Sequence, residues 1–310
     1  MIVFLLLKEK MMRTYRLYQV DAFTTERFTG NPAGVVPDAT GLSDSEMQAI
    51  AREMNVSETA FIFPANGHDH DMTVRFFTPT TEVPICGHAT IAAHWIRAYE
   101  GAPDGIVHEK TGAGILPVEI ERKTGVTRIW MTQKHAAFET PFQGDVEEEM
   151  RKALGVPQLS AIAPVQIVTT GHSKVIVPVQ SKAALHAMVP DLSALSRLSD
   201  RIGCNGFFAF TLADGDEDVV AHGRMFAPAI GIAEDPVTGN ACGPLGAYLA
   251  RHGLLAVASG DTVRFAVRQG EAMGRPGTVL VEVHHEGETF GVRVSGEAII
   301  AFATSIEVGR

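Results

Sequence analysis

The feature that most constrains this chain is a motif that occurs twice. Residues 74–79 read VRFFTP, a strand stopped by proline, followed by a loop and then by ICGHATIAAHWIRA. Residues 223–228 read GRMFAP, followed by a loop and then by ACGPLGAYLARHG. Both share Arg-x-Phe-x-Pro (Arg75, Phe77, Pro79; Arg224, Phe226, Pro228), and both then reach a Cys-Gly pair expected to open a helix of small residues. The second loop is longer, 14 positions from Pro228 to Cys242 against 7 from Pro79 to Cys86. A repeated order of strand, proline, loop and small-residue helix points to a duplicated unit, and a repeat restricts the fold more than local propensity does.

The other elements agree with this. Residues 14–23 alternate like a strand and run into the turn-rich TGNPAG. Residues 43–54 read as a helix, with Ser43 and Glu46 as a capping box and Met47, Ile50, Ala51 and Met54 on one face. Asn55 closes it, and 59–63 is a strand beyond the corner Val56-Ser57-Glu58. Short strand signals recur at 115–121, 128–132, 165–169, 174–179, 206–212, 262–267, 278–284 and 290–301. Strands outnumber helices. The expected class is mixed α/β (α+β), with two pseudo-symmetric domains, each a curved, mostly antiparallel sheet wrapped around one buried helix. Small residues such as Ala89, Ala92, Ala93, Gly246 and Ala247 suit helices that backbone must approach closely.

A net charge of −10 and a pI near 5.6 argue against a nucleic-acid partner, since phosphate binding needs a basic surface. Cys86, Cys204 and Cys242 are too few and too scattered for a disulfide framework and suit a reducing compartment. The apolar run at the start ends at Leu7, too short for a membrane span or a signal-peptide core, so 1–12 reads as an extension and the cytoplasm as the expected location.

Several residues are candidates for chemistry. A loop that ends at a helix N-terminus offers free N–H groups and a positive dipole end to a carboxylate. Glu58 stands at a corner beside Ser57 and before an apolar run, where a sheltered carboxyl would suit proton transfer; a solvated turn glutamate is the alternative. His88, after Cys86-Gly87, would polarise or relay, or else would serve a structural hydrogen bond. Asp235 faces substrate, or forms an Asx turn before Pro236. Cys86 and Cys242, placed alike by the repeat, would form the two bases of a racemase; small buried thiols beside glycine are the alternative. Cys204 reads as packing. His68-Asp69-His70-Asp71 lacks a third ligand and reads as a polar hairpin tip, so no metal is expected. Thr111-Gly112-Ala113-Gly114 is no dinucleotide fingerprint, and neither a phosphate loop nor a Gly-x-Ser-x-Gly elbow occurs.

At these residues the chain resembles the PhzF-like family, named for a phenazine-biosynthesis isomerase. The matching stretches are YQVDAFT, GNPAGVV, EMNVSETAFIF, RFFTPTTEVPICGHATIAAHW, EDPVTGNACGPLGAYL and RQGEAMGRPG, from Tyr18 to Gly277. The resemblance implies a diaminopimelate-epimerase-like fold with domains over 13–130 plus about 298–310 and over 131–297. It also implies an active site in the interdomain cleft, a homodimer, no cofactor and a small carboxylate substrate. The family's proton-shuttling glutamate falls on Glu58, and its assisting serine, histidine and aspartate fall on Ser57, His88 and Asp235. Its substrate-contacting backbone falls on Gly87 and Gly239, and Cys86, Asn240, Ala241, Cys242 and Gly243 beside them are further expected substrate-binding residues. Asn240 stands where the phenazine enzyme has a serine, so the resemblance does not carry that enzyme's substrate over to this chain. Three readings follow: a one-glutamate isomerase, a racemase with Cys86 and Cys242 as paired bases, or a non-catalytic small-molecule binder.

Overall fold

The repeated Arg-x-Phe makes the same contacts in both halves. In a computed structural model that describes residues 12–215 and 218–309, Arg75 lies on the strand Met72–Phe77 and Arg224 on the strand Ala221–Ala227. Each guanidinium clasps a glutamate on the short strand that follows. Arg75 Nε and Nη2 donate to the two oxygens of Glu82 at 2.7 and 2.6 Å, and Arg224 Nε and Nη2 donate to those of Glu234 at 2.8 Å each. Each also lies over the phenylalanine two residues on, 5.2 Å from the Phe77 centroid and 5.0 Å from that of Phe226. A bidentate fork held against an aromatic face is a geometry that lysine would not reproduce.

The strand pairings repeat as well. In the first half, Arg13–Ala22 pairs antiparallel with Asn31–Val36, which pairs parallel with Glu58–Pro64, and that strand pairs antiparallel with Met72–Phe77. A parallel step to Gly105–Thr111 and antiparallel steps to Gly114–Lys123 and Val126–Thr132 follow. The second half makes the same steps in the same order. They run through Gln166–Thr169, Ser173–Pro178, Phe207–Leu212, Ala221–Ala227, Thr262–Gln269, Gly277–Glu286 and Thr289–Gly296. Ala298–Val308 lies antiparallel beside Arg13–Ala22, just as Ala137–Phe138 lies beside Gln166–Thr169. Thr289–Gly296 also pairs with Val126–Thr132, which joins the halves.

Two details differ from the sequence reading. The run 290–301 is two strands parted at Glu297, because the chain there leaves the second half and returns to the first. The boundary read at 130/131 falls inside Val126–Thr132, a strand that pairs with both halves. The expected extension lies, through residue 11, outside the described residues.

One helix sits inside each half, Gly87–Tyr99 in the first and Gly239–Arg251 in the second. Ala89, Ala92, Ala93 and Ile96 pack with Val20, Val35, Ala60, Val74 and Phe76. Leu245, Ala247, Tyr248 and Leu249 pack with Phe208, Phe210, Val279 and Val281. Both helices are apolar nearly all round, as a helix enclosed by sheet must be. The outer helix Asp44–Met54 starts at Ser43 with both bonds of the capping box made, and it ends at Asn55 in the left-handed conformation. Among the described residues no helix is long and apolar enough to cross a membrane.

Candidate active site

Both enclosed helices begin at one cleft of about 240 Å³. The first half contributes Ser57 and Glu58, at the start of Glu58–Pro64, and Cys86-Gly87-His88, at the start of Gly87–Tyr99. The second contributes Asp235 from the end of Ile232–Asp235 and Gly239-Asn240 from the start of Gly239–Arg251. A Cβ built on Gly87 would lie 3.5 Å from the Asn240 amide, so the two helix starts face each other closely. The first N–H groups of each helix have no carbonyl one turn earlier and form a ready anion receptor.

His88 organises the first wall. Its Nε2 lies 3.1 Å from Ser57 Oγ and 3.2 Å from Glu58 Oε2, and its Nδ1 lies 3.4 Å from Cys86 Sγ. The Glu58 and His88 side chains are only 13% and 9% exposed. Glu58 Oε2 is out of line for a hydrogen bond with the imidazole, so among the described residues this buried oxygen has no hydrogen-bond partner. Such an oxygen is costly unless a ligand meets it. Burial, and then the negative charge of Glu58, push the Cys86 thiol well above its ordinary value. Donor atoms of Glu58, Cys86 and His88 all lie within 4.8 Å of one another, close enough to meet one ion. Metal ligation would require the thiolate, which this burial opposes.

Asp235 organises the second wall. Its Oδ1 accepts from Asn31 Nδ2 at 2.8 Å, and its Oδ2 accepts from the Thr238 hydroxyl. Burial raises its carboxyl above the ordinary range, while the His88 charge and the bonds from Thr238 and Asn31 act in the opposite direction. Asn31 Nδ2 also donates to the Val237 carbonyl at 2.9 Å, so a first-half residue holds the second-half loop. Gln269 Nε2 donates to the Asp235 carbonyl at 2.7 Å, and Gln269 Oε1 accepts from Thr238 N–H at 3.0 Å.

Of the residues expected at the site, Ser57, Glu58, Cys86, Gly87, His88, Asp235, Gly239 and Asn240 line this cleft, and Ala241, Cys242 and Gly243 do not. The reason corrects the reading of the repeat. Cys86 is the N-cap of its helix, whereas the second helix is capped by Thr238, and Cys242 is its fourth residue. Thr238-Gly239-Asn240 therefore matches Cys86-Gly87-His88, and the two Cys-Gly pairs are not equivalent. Helical residues turn about 100° each, so Cys242 points roughly opposite to Asn240. Cys242 is fully buried in the apolar core, and burial raises its thiol far above the ordinary value. Gly243 is a packing glycine, since a Cβ there would lie 2.1 Å from Gln133 Oε1.

Elsewhere, Cys204 is buried in a hydrophobic cluster, as expected of a packing thiol. His68–Asp71 lies in the connection between Glu58–Pro64 and Met72–Phe77, where His70 Nδ1 meets Asp69 at 2.6 Å. The sequence reading missed Asn31, Gln269, His172, Lys174 and Asn205. The sequence signal for Asn31 and Gln269 is a polar residue beside a Thr-Gly or Gly-Glu turn. His172, Lys174 and Asn205 also line the cleft and carried no motif.

The chain matches the family described as phenazine biosynthesis-like protein (PhzC-PhzF) over residues 20–304. It is 50% identical over 300 residues to a Clostridium acetobutylicum protein named uncharacterized isomerase, covering 96% of this chain and 99% of that one. It is 36% identical over 287 residues to the trans-2,3-dihydro-3-hydroxyanthranilate isomerase of Pseudomonas chlororaphis, covering 88% of this chain and 96% of that one. The crystal structure of a Bacillus anthracis phenazine biosynthesis protein of the PhzF family aligns with a TM-score of 0.87 at 32% identity, over 96% of this chain and 100% of that one. With a match that runs through both halves and both walls of the cleft, the chain belongs to the phenazine biosynthesis-like (PhzC-PhzF) family and is an isomerase.

Proposed function

We propose that the enzyme moves a proton within a small carboxylate-bearing carbon acid, with Glu58 as the carrier and without metal or organic cofactor. The observation that carries this reading is Glu58, which lines a cleft between two helix N-termini and whose buried Oε2 has no hydrogen-bond partner among the described residues. Glu58 takes a proton from the substrate carbon, and the electron pair spreads into the neighbouring carboxylate or allylic system. The carboxyl group then returns the proton to the same carbon or to a conjugated one, leaving Glu58 ionised again. Negative charge that grows on the substrate meets the N–H groups at the starts of both enclosed helices. His88 holds Ser57 and Glu58 in place, and Asp235 approaches from the other wall.

Cysteine as the paired base fits less well. Cys86 lines the cleft but its thiol holds its proton, and Cys242 does not line it. The named relative from Pseudomonas chlororaphis acts on an anthranilate, which bears a carboxylate; Asn240 and the surrounding walls set which carbon acid is accepted here. The test is incubation of the protein with a panel of small carboxylic acids in deuterated water, trans-2,3-dihydro-3-hydroxyanthranilate included, read by mass spectrometry. Glu58→Gln should lower deuterium uptake by about 10²- to 10⁴-fold, the usual share of a general acid–base, while melting normally. Full uptake by Glu58→Gln on an acid that the wild type labels would overturn the assignment.

A further inference from the structure

The pseudo-symmetry shows what stands opposite Glu58. Arg75 pairs with Phe61 and Arg224 with Ala209, so Phe61 and Ala209 are equivalent, and counting back places Gly206 where the first half has Glu58. In the neighbouring strands Gly34 pairs with Thr59 and Val175 with Phe207, which makes Lys174 the counterpart of Ala33. In the first half the charged residue is Glu58, beside a small Ala33. In the second half the charge sits on the neighbouring strand, as Lys174 beside a bare Gly206. The exchange has a steric reason: a Cβ on Gly206 would fall 2.6 Å from Lys174 Cδ, so the lysine stem runs where a side chain at 206 would stand.

Lys174 is 9% exposed, and its Nζ donates to the Ser173 carbonyl at 3.1 Å. Among the described residues no carboxylate lies within ion-pair distance of it. A buried cation without a counterion is expensive, and ligand sites are where such a cost is retained. Burial pulls the ammonium below its ordinary value, while Cys204 and Asp235 act in the opposite direction. His172 and Asn205 line the Glu58 cleft together with Lys174, and the same three residues line an adjoining space of about 580 Å³. These three residues therefore form a wall common to the cleft and to that space.

We propose that Lys174, with His172 and Asn205, binds a second carboxylate of the substrate, which makes the natural substrate a dicarboxylic carbon acid whose reactive carbon lies between Lys174 and Glu58. This rests on the proton-transfer reading for the place of the reacting carbon, but its test is binding alone.

Calorimetric titration would compare succinate, glutarate and adipate with butyrate, pentanoate and hexanoate, on wild type, Lys174→Met, Lys174→Arg and Glu58→Gln. Wild type and Glu58→Gln should bind at least one diacid 10-fold or more tightly than its monoacid. Lys174→Met should lose that preference, Lys174→Arg should keep part of it, and Lys174→Met should melt no lower than wild type without ligand. No diacid preference in the wild type overturns the proposal, as does a preference unchanged in Lys174→Met; the wild-type comparison decides alone if Lys174→Met does not fold. Should Glu58→Gln keep both the preference and full deuterium exchange, the proton-transfer reading fails while the lysine site stands.

Discussion

Gly243→Ala is a substitution whose effect local propensity and tertiary packing predict with opposite sign. Gly243 lies inside the helix Gly239–Arg251 at an ordinary negative φ, where replacing glycine by alanine should stabilise a helix by about 1 kcal/mol. The new Cβ, however, would fall 2.1 Å from Gln133 Oε1. Gln133 borders a second cleft and can swing away, so the cost lies in what it releases. Its Nε2 donates to the Gly239 carbonyl and to Asn240 Oδ1, each at 3.3 Å, and its Oε1 accepts from Thr170 Oγ1 at 2.6 Å. Three such bonds contribute about 1 kcal/mol each, with buried Thr170 left unsatisfied. The net effect is a destabilisation of about 2 kcal/mol, or about 3 °C in Tm for a chain of this length. Calorimetry measures the shift. Release of Asn240 should also raise KM more than it lowers kcat, because Asn240 faces the cleft. A variant that melts at or above the wild-type temperature would refute this reasoning.

Two further outcomes follow from the walls of the cleft. Asp235 binds its proton more tightly folded than unfolded, so its ionisation costs stability as pH rises from the ordinary 3.8 through the raised folded value. Asp235→Asn carries no such cost, and its Tm relative to wild type should climb as melting is repeated from pH 4 to 8; a difference independent of pH would contradict the buried-carboxyl account. Cys242→Ala should lose about 1 kcal/mol of stability, as a small core truncation does, yet keep its deuterium exchange. Abolished exchange in a folded Cys242→Ala would revive the two-thiol mechanism.

Local signals were legible without coordinates wherever the physics is local. The capping box at Ser43 and Glu46, the strand stopped at Pro79 and the small-residue helices depend on neighbours within a turn or a dipeptide, and all are present. Glu58, His88 and Asp235 were named from their own stretches and meet at one cleft. The outer helix Leu192–Ile202 lies outside the sequence expectations, although Asp191 caps it and Leu195 and Leu198 are buried on one face.

The chain alone shows the duplication, the residues that start the enclosed helix of the first half, and the carboxylates that stand beside turns. Tertiary structure decided three things that no local pattern contains. Cys242 turns into the core because the second helix begins at Gly239, a start set by the loop tied down by Asn31 and Gln269. Ala298–Val308 returns to the first half because its edge pairs antiparallel with Arg13–Ala22, almost three hundred residues away in sequence. Lys174 enters the site because a glycine on the neighbouring strand vacates its path. Each is a matter of which surfaces meet across many residues of chain, and contact between distant segments leaves no period for a sequence to show.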